Sequence, residues 1–120
     1  FNQHRASKAD QNQPLVVVEG YFGCMRLWQA GHRRVVALMG GMLSKPQEDG
    51  LVTLAGEHGH IVLMFDEDAA GKKGRVDAYR RLVERVSVNI TWLDDCQQPD
   101  DLEPESLLEL IHSSVGEVAA

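Results

Sequence analysis

Four short apolar runs punctuate the chain: LVVVE at 15–19, RVVALMGG at 34–41, HIVLMF at 60–65 and SVNITWL at 87–93. The first three are continuous rather than alternating, and the set is rich in β-branched residues, as expected for strands buried on both faces. Between them the apolar spacing turns helical. Phe22, Met25, Leu27, Trp28 and Ala30 form a stripe over 22–30 that ends at Gly31. In SKPQ (44–47) Ser44 can cap a helix, Pro46 suits its first turn and Gln47 holds the capping-box position. That helix runs toward Gly56 with Gly50 interrupting it. The segment 71–85 predicts the clearest helix, with Val76, Tyr79, Leu82, Val83 and Val86 on one face and Arg75, Arg80, Arg81 and Glu84 mostly elsewhere. A last amphipathic helix, SLLELIH, is predicted at 106–112. The order β-α-β-α-β-α-β-α predicts an α/β fold: a four-stranded, mainly parallel sheet with helices on both faces and right-handed crossovers. Residues 1–13 are polar and aperiodic and are expected to be an arm or linker from an upstream region, leaving 14–120 as one domain.

Composition narrows the setting. A chain of 120 residues, 43% hydrophobic and 25% charged, suits a single globular domain. No apolar run approaches the roughly 20 residues of a membrane span, and no leader is recognisable, so a cytoplasmic protein without membrane contact is expected. Beginning at Phe1 rather than Met, the chain is expected to be a domain of a longer protein. The formal net charge of −6 means that any nucleic-acid partner must be held with the help of cations or other domains. Cys24 and Cys96 have no zinc-binding spacing and are expected to be reduced thiols.

Acidic residues change the picture more. In a parallel sheet, function gathers at the carboxyl ends of the strands. Glu19 follows the first run, Gly40 and Gly41 the second, Asp66-Glu67-Asp68 the third and an acidic loop the fourth. Two carboxylates about 5 Å apart repel by about 3 kcal/mol at an effective dielectric of about 20. A divalent cation removes that conflict, and an all-carboxylate set favours Mg²⁺ or Mn²⁺ over zinc. In extended geometry Asp66 and Asp68 point together and Glu67 points away, which makes Glu67 a spectator. A phosphorylated receiver domain fits poorly, because one Glu stands where an acidic pair is needed and no lysine follows the fourth strand. AAGKKG is not a phosphate-binding P-loop, and GYFG lacks the glycines of a dinucleotide site. His58 and His60 precede the third strand at the opposite edge and are expected to be structural or exposed. His32, Arg33 and Arg34 are expected in a surface turn, Trp28 and Trp92 in the core.

VVVEGYF, LMGG and FDEDAAGKKG, in this order at successive strand ends, resemble the Toprim domain, most of all its bacterial DNA primase branch, including primase-like proteins of phages and mobile elements. PDDL (99–102) is similar to that branch's acidic C-terminal element, and the likeness extends from about Leu15 to Ile111. The resemblance implies metal-dependent nucleotidyl transfer, with Glu19 as the catalytic general acid/base and Asp66 and Asp68 as ligands of Mg²⁺ or Mn²⁺. Asp100 is implied as an accessory ligand, ahead of Asp101 and Asp95. Lys72, Lys73, Gly20, Gly40 and Gly71 are expected to meet phosphate or nucleic acid. Two departures stand out: Gly23 replaces an aspartate common in primases, and Gln98 the first aspartate of a D-P-D. The implied function is primer synthesis from nucleoside triphosphates on single-stranded DNA within a full-length protein, with a helicase or other replication partner. Its alternatives are phosphodiester cleavage of the nuclease or topoisomerase kind and a non-catalytic module that binds nucleic acid or a replication partner.

Overall fold

The apolar runs fold as β1 (Leu15–Val18), β2 (Val35–Ala37), β3 (His60–Leu63) and β4 (Ser87–Ile90). The structure, a computed structural model, describes residues 13–40, 42–56, 59–94 and 97–119, without the side chains of Asp100 and of 114–119. Residues 1–12 of the expected arm, with Gly41, His58, Asp95 and Cys96, lie outside the described residues. The strands pair in the order β2-β1-β3-β4, and every pair is parallel. All four side chains of β1 are buried because helices cover both faces of the sheet. Edge strand β4 is only half-buried.

The strands are connected by α1 (Tyr21–Gln29), α2 (Lys45–Ala55) and α3 (Ala69–Leu82), and β4 is followed by a 3₁₀ turn at Pro99–Asp101 and α4 (Pro104–Ala119). Alternate strand residues feed two cores. Leu15, Val17, Ile61 and Leu63 pack with Leu51 and Ala55 of α2 and Ala78 and Leu82 of α3. Val16, Val18, Val62 and Met64 pack with Cys24 and Leu27 of α1 and Leu107 and Ile111 of α4. The chain leaves β1 toward β2 and leaves β3 in the opposite direction toward β4. That reversal goes with a change of face, as a single handedness of crossover requires.

Local signals in α2 read through directly. The Ser44 side chain accepts from the Gln47 N–H at 3.2 Å, and Gln47 Oε1 accepts from the Ser44 N–H at 2.9 Å. Gly50 does not break this helix, which runs on to Ala55 before Gly56 turns the chain at φ 88°. The thiol of Cys24 is free and buried, and burial pushes its pKa up to about 11.

Several expectations are corrected. On α3 the buried face is Gly71, Gly74, Arg75, Ala78 and Leu82, while Val76, Tyr79 and Val83 are exposed. Small residues win that face because they let the helix lie close to the sheet. Phe22 is 71% exposed and Trp92 63% exposed, so neither is core; Trp28 is half-buried under the Arg33 guanidinium. His32 and Arg34 are buried rather than in a surface turn. His32 Nε2 bonds the Pro14 carbonyl at 3.0 Å. Arg34 reaches the C-terminal end of α2 and donates to the Leu54 carbonyl at 2.6 Å, where the helix end carries negative potential. Helix α4 starts earlier and ends later than its apolar pattern predicted.

Two constraints hold α2 and α3 in place. Glu48 on α2 is buried and accepts from Arg81 Nε at 2.8 Å, Arg85 Nη1 at 2.6 Å and Lys45 Nζ at 3.2 Å. Hydrogen bonds from Arg85 first, then from Lys45 and Arg81, hold the Glu48 carboxyl down to about 2. At the start of α3, a Cβ on Gly71 would sit 2.0 Å from the Asp66 carbonyl oxygen and 2.8 Å from Glu19 Oε1.

A depressed folded-state pKa means that ionised Glu48 favours the native state. This stabilisation is complete above the unfolded value of 4.5 and is lost as pH falls toward about 2. Urea unfolding between these limits is expected to show a flatter pH dependence for Glu48→Gln than for the wild type; equal slopes contradict the network. Gly71→Ala is expected to lose about 2–3 kcal/mol, because backbone rather than a flexible side chain must move. Its urea midpoint measures this, and an unchanged midpoint contradicts the close approach.

Candidate functional site

Because the chain leaves β1 and β3 in opposite directions, a crevice opens between their carboxyl ends. Glu19 lies one residue beyond β1. Asp66 lies beyond Met64 and Phe65, which prolong β3; the Met64 N–H donates to the Val17 carbonyl at 2.9 Å. The crevice, of about 90 Å³, is lined by Glu19, Gly20, Tyr21, Asp66, Gln98 and Pro99 among others.

Glu19 is fixed at two points. Its Oε1 accepts from the Asp66 N–H at 2.8 Å, and its backbone carbonyl accepts from the Met39 N–H at 2.8 Å. Met39 makes that bond from a left-handed conformation, φ 62°, at the end of β2. Such a conformation costs a non-glycine residue about 1–2 kcal/mol. Burial lifts the Glu19 carboxyl above its ordinary range and Asp68 adds repulsion, while the Asp66 N–H and Arg75 pull it down.

Asp68 caps α3, its Oδ1 accepting from the Gly71 N–H at 2.6 Å. Asp66 is half-buried and Asp68 exposed. Asp68 and Glu19 therefore both border the first turn of α3, which the missing Gly71 side chain lets in, and Asp66 joins them through its backbone N–H. All three residues carry hard carboxylate oxygens, and Asp68 repels Glu19, so the donor chemistry is of the kind that suits a small divalent cation. Even so, among the described residues no three His, Cys, Asp or Glu side chains form a metal-holding group. Two of the relevant oxygens, Glu19 Oε1 and Asp68 Oδ1, are engaged by backbone N–H groups.

The other expected site residues are spread around this centre. Lys72 and Lys73 are exposed in the first turn of α3, and Gly20 is the exposed residue before α1. Gly40 is exposed beyond β2 with nothing within 4 Å of its Cβ direction. Asp100 is in the 3₁₀ turn, and its side chain lies outside the described residues. Asp101 closes that turn, accepting from the Gln98 N–H at 2.9 Å. A Cβ on Gly23 would lie 3.4 Å from Pro99 Cβ, so the turn packs directly over this position.

Sequence patterns missed the residues behind the acids. Glu67 does point away from Asp66 and Asp68, but it is no spectator. It is buried in an ion pair with Arg75, whose guanidinium lies 4.1 Å from the Trp92 ring centre. The Glu67 N–H also donates to the Gln97 carbonyl at 2.9 Å. Only the small-residue face of α3 signalled that Arg75 turns inward.

Comparison with known proteins follows this geometry. A sequence model of the Toprim domain matches residues 13–93. The DNA primase of Clostridium acetobutylicum is 29% identical over 116 residues, which cover 92% of this chain and 19% of that protein. The DNA primase of Aquifex aeolicus is 33% identical over 104 residues, covering 82% of this chain and 20% of that protein. The crystal structure of the Aquifex aeolicus primase, comprising zinc-binding and RNA polymerase domains, superposes with a TM-score of 0.82 at 30% identity, covering 95% of this chain and 29% of that one. The chain thus spans about a fifth of the length of these curated relatives. No helix among the described residues is long and apolar enough to cross a membrane. A four-stranded parallel sheet with acids at the β1–β3 crevice, together with these matches, means that the chain belongs to the Toprim domain family, among relatives that are bacterial DNA primases.

Proposed function

We propose that this chain is the metal-dependent nucleotidyl-transfer unit of a primase-type protein of the cytoplasm, which joins nucleoside triphosphates into a primer on single-stranded DNA. What supports this reading is Glu19 at the exit of β1, its Oε1 bound by the Asp66 N–H, with Asp68 capping α3 two residues on, in a Toprim-family chain whose relatives are DNA primases. Asp66 and Asp68, with Asp100 as an accessory, are the residues that would hold Mg²⁺ or Mn²⁺. When bound, such an ion supplies positive charge that gathers phosphate oxygens and offsets the charge developing during transfer. Glu19, with Oε1 held by the Asp66 N–H, has Oε2 left to take a proton from the attacking hydroxyl. Burial raises its pKa, the direction that strengthens a carboxylate as a proton acceptor.

Lys72 and Lys73 stand at the positive end of α3, where anionic phosphate is favoured. Gly20 and Gly40 offer backbone without a side chain in the way. Gly71 serves by allowing close approach, since its own N–H is already given to Asp68. With a net charge of −6, the chain leaves most template binding to basic surfaces elsewhere in the full-length protein.

A second reading, a non-catalytic binding module of nucleic acid or a replication partner, is favoured by Gly23 and Gln98. Pro99 covers Gly23, and no carboxylate stands at either position.

Metal response separates these readings. At ten times its Kd, Mg²⁺ or Mn²⁺ stabilises by about 1.4 kcal/mol, a rise of about 5 °C in Tm for a domain of this size. Asp66→Asn and Asp68→Asn are expected to abolish the rise. Asparagine still caps α3, so the loss in Asp68→Asn is not a folding defect. A wild type indifferent to millimolar metal contradicts the catalytic reading. In the full-length protein, single-stranded DNA with labelled nucleotides is expected to yield extended products, reduced about a hundredfold or more by Glu19→Gln. Shortened DNA instead assigns the site to phosphodiester cleavage.

A further inference from the structure

We propose that the groove between the exit of β4 and helix α4 docks a protein segment that carries arginine or lysine among apolar side chains. The groove encloses about 320 Å³ and shares no lining residue with the acidic crevice. Its apolar wall is Trp92, Leu93, Leu102 and Leu110, and its charged residues among those described are Asp94 and Glu109. No lysine or arginine lines it among the described residues. A strand of nucleic acid would bring phosphates against two carboxylates, whereas a basic side chain would be attracted by both.

Trp92 makes this surface more than a dent. It is 63% exposed yet anchored from beneath by the Arg75 guanidinium at 4.1 Å, and Arg75 is itself fixed by its buried ion pair with Glu67. An exposed tryptophan already held in one position loses little freedom on binding. Tryptophan is also among the residues that most often dominate interface energetics. Glu109, Ser106, Leu110 and Ser113 share one side of α4, so a segment lying along the helix meets carboxylate, hydroxyl and apolar surface together. The groove does not depend on the nucleotidyl-transfer reading, because none of its residues enters that chemistry.

Fluorescence anisotropy of the whole chain tests this with a short labelled peptide that presents leucine and arginine on one helical stripe. The controls are the same peptide with glutamate in place of arginine, and a labelled single-stranded oligonucleotide. Saturable binding of the arginine peptide alone is expected. Trp92→Ala is expected to weaken it about tenfold or more. The Asp94→Asn, Glu109→Gln double variant, which leaves the packing untouched, is expected to weaken it several-fold and to flatten its salt dependence. Circular dichroism of both variants should match the wild type; if Trp92→Ala is misfolded, the double variant alone decides. No saturable binding, equal binding of the glutamate peptide, or affinity unchanged in the double variant overturns the proposal. Oligonucleotide binding lost in Trp92→Ala reassigns the surface to nucleic acid. A dimer in sedimentation that Trp92→Ala dissolves reassigns it to a second copy of the chain.

Discussion

The hydrogen bond from the Asp66 N–H to the Glu19 carboxylate ties the ends of the two central strands together across the crevice that their diverging connections create. The first turn of α3 comes within contact of the Asp66 carbonyl and Glu19 Oε1, and only a residue without a Cβ fits there. Parallel pairing, the change of helix face and the glycine at position 71 thus converge on one spot. The Met39 N–H holds Glu19 from the other side at the expense of a left-handed backbone. Strain of this kind persists only where the surrounding structure overdetermines it.

Three consecutive acids follow β3, and the fold treats them differently. Glu67 is turned inward and neutralised by Arg75, so its charge does not add to that of Asp66 and Asp68. Breaking such a buried pair from one side costs about 3–5 kcal/mol, so the pair acts as a fixed support under the loop that carries the other two. Asp68 is stabilised by the N-terminal end of α3 through the Gly71 N–H. Glu19 is left half-buried beside the Asp66 N–H, where burial and the charge of Asp68 destabilise its negative charge.

Much of this was legible in the chain. The four apolar runs and their order predicted the sheet, and the acids after the first and third stand at the exits of β1 and β3. Those features work locally: a buried parallel strand must be apolar throughout, and its exit must be polar. The capping box of α2 is local in the same way. What misled was hydrophobic periodicity where another force chose the face. On α3 the stripe of Val76, Tyr79 and Val83 lost to Gly71, Gly74 and Ala78, because close packing on a sheet rewards small volume. Arg34 and His32 looked like a surface turn, yet they hydrogen-bond carbonyls distant in sequence, at Leu54 and Pro14, which no local pattern encodes. Trp92 is expected in the core. It lies instead at the exposed end of the sheet, where Arg75 supports it.

Membership of the Toprim family and kinship with DNA primases give the crevice a chemical context, and a cation held by Asp66 and Asp68 is the central claim of the proposed function. The most direct measurement is the loss of amide NMR signals as Mn²⁺ is titrated into the whole chain, since paramagnetic broadening marks the residues nearest the ion. Broadening that begins at Gly20, Asp66 and Gly71 and then spreads outward is the result the account predicts. Broadening centred on Asp94 and Glu109, or none at millimolar Mn²⁺, would contradict it.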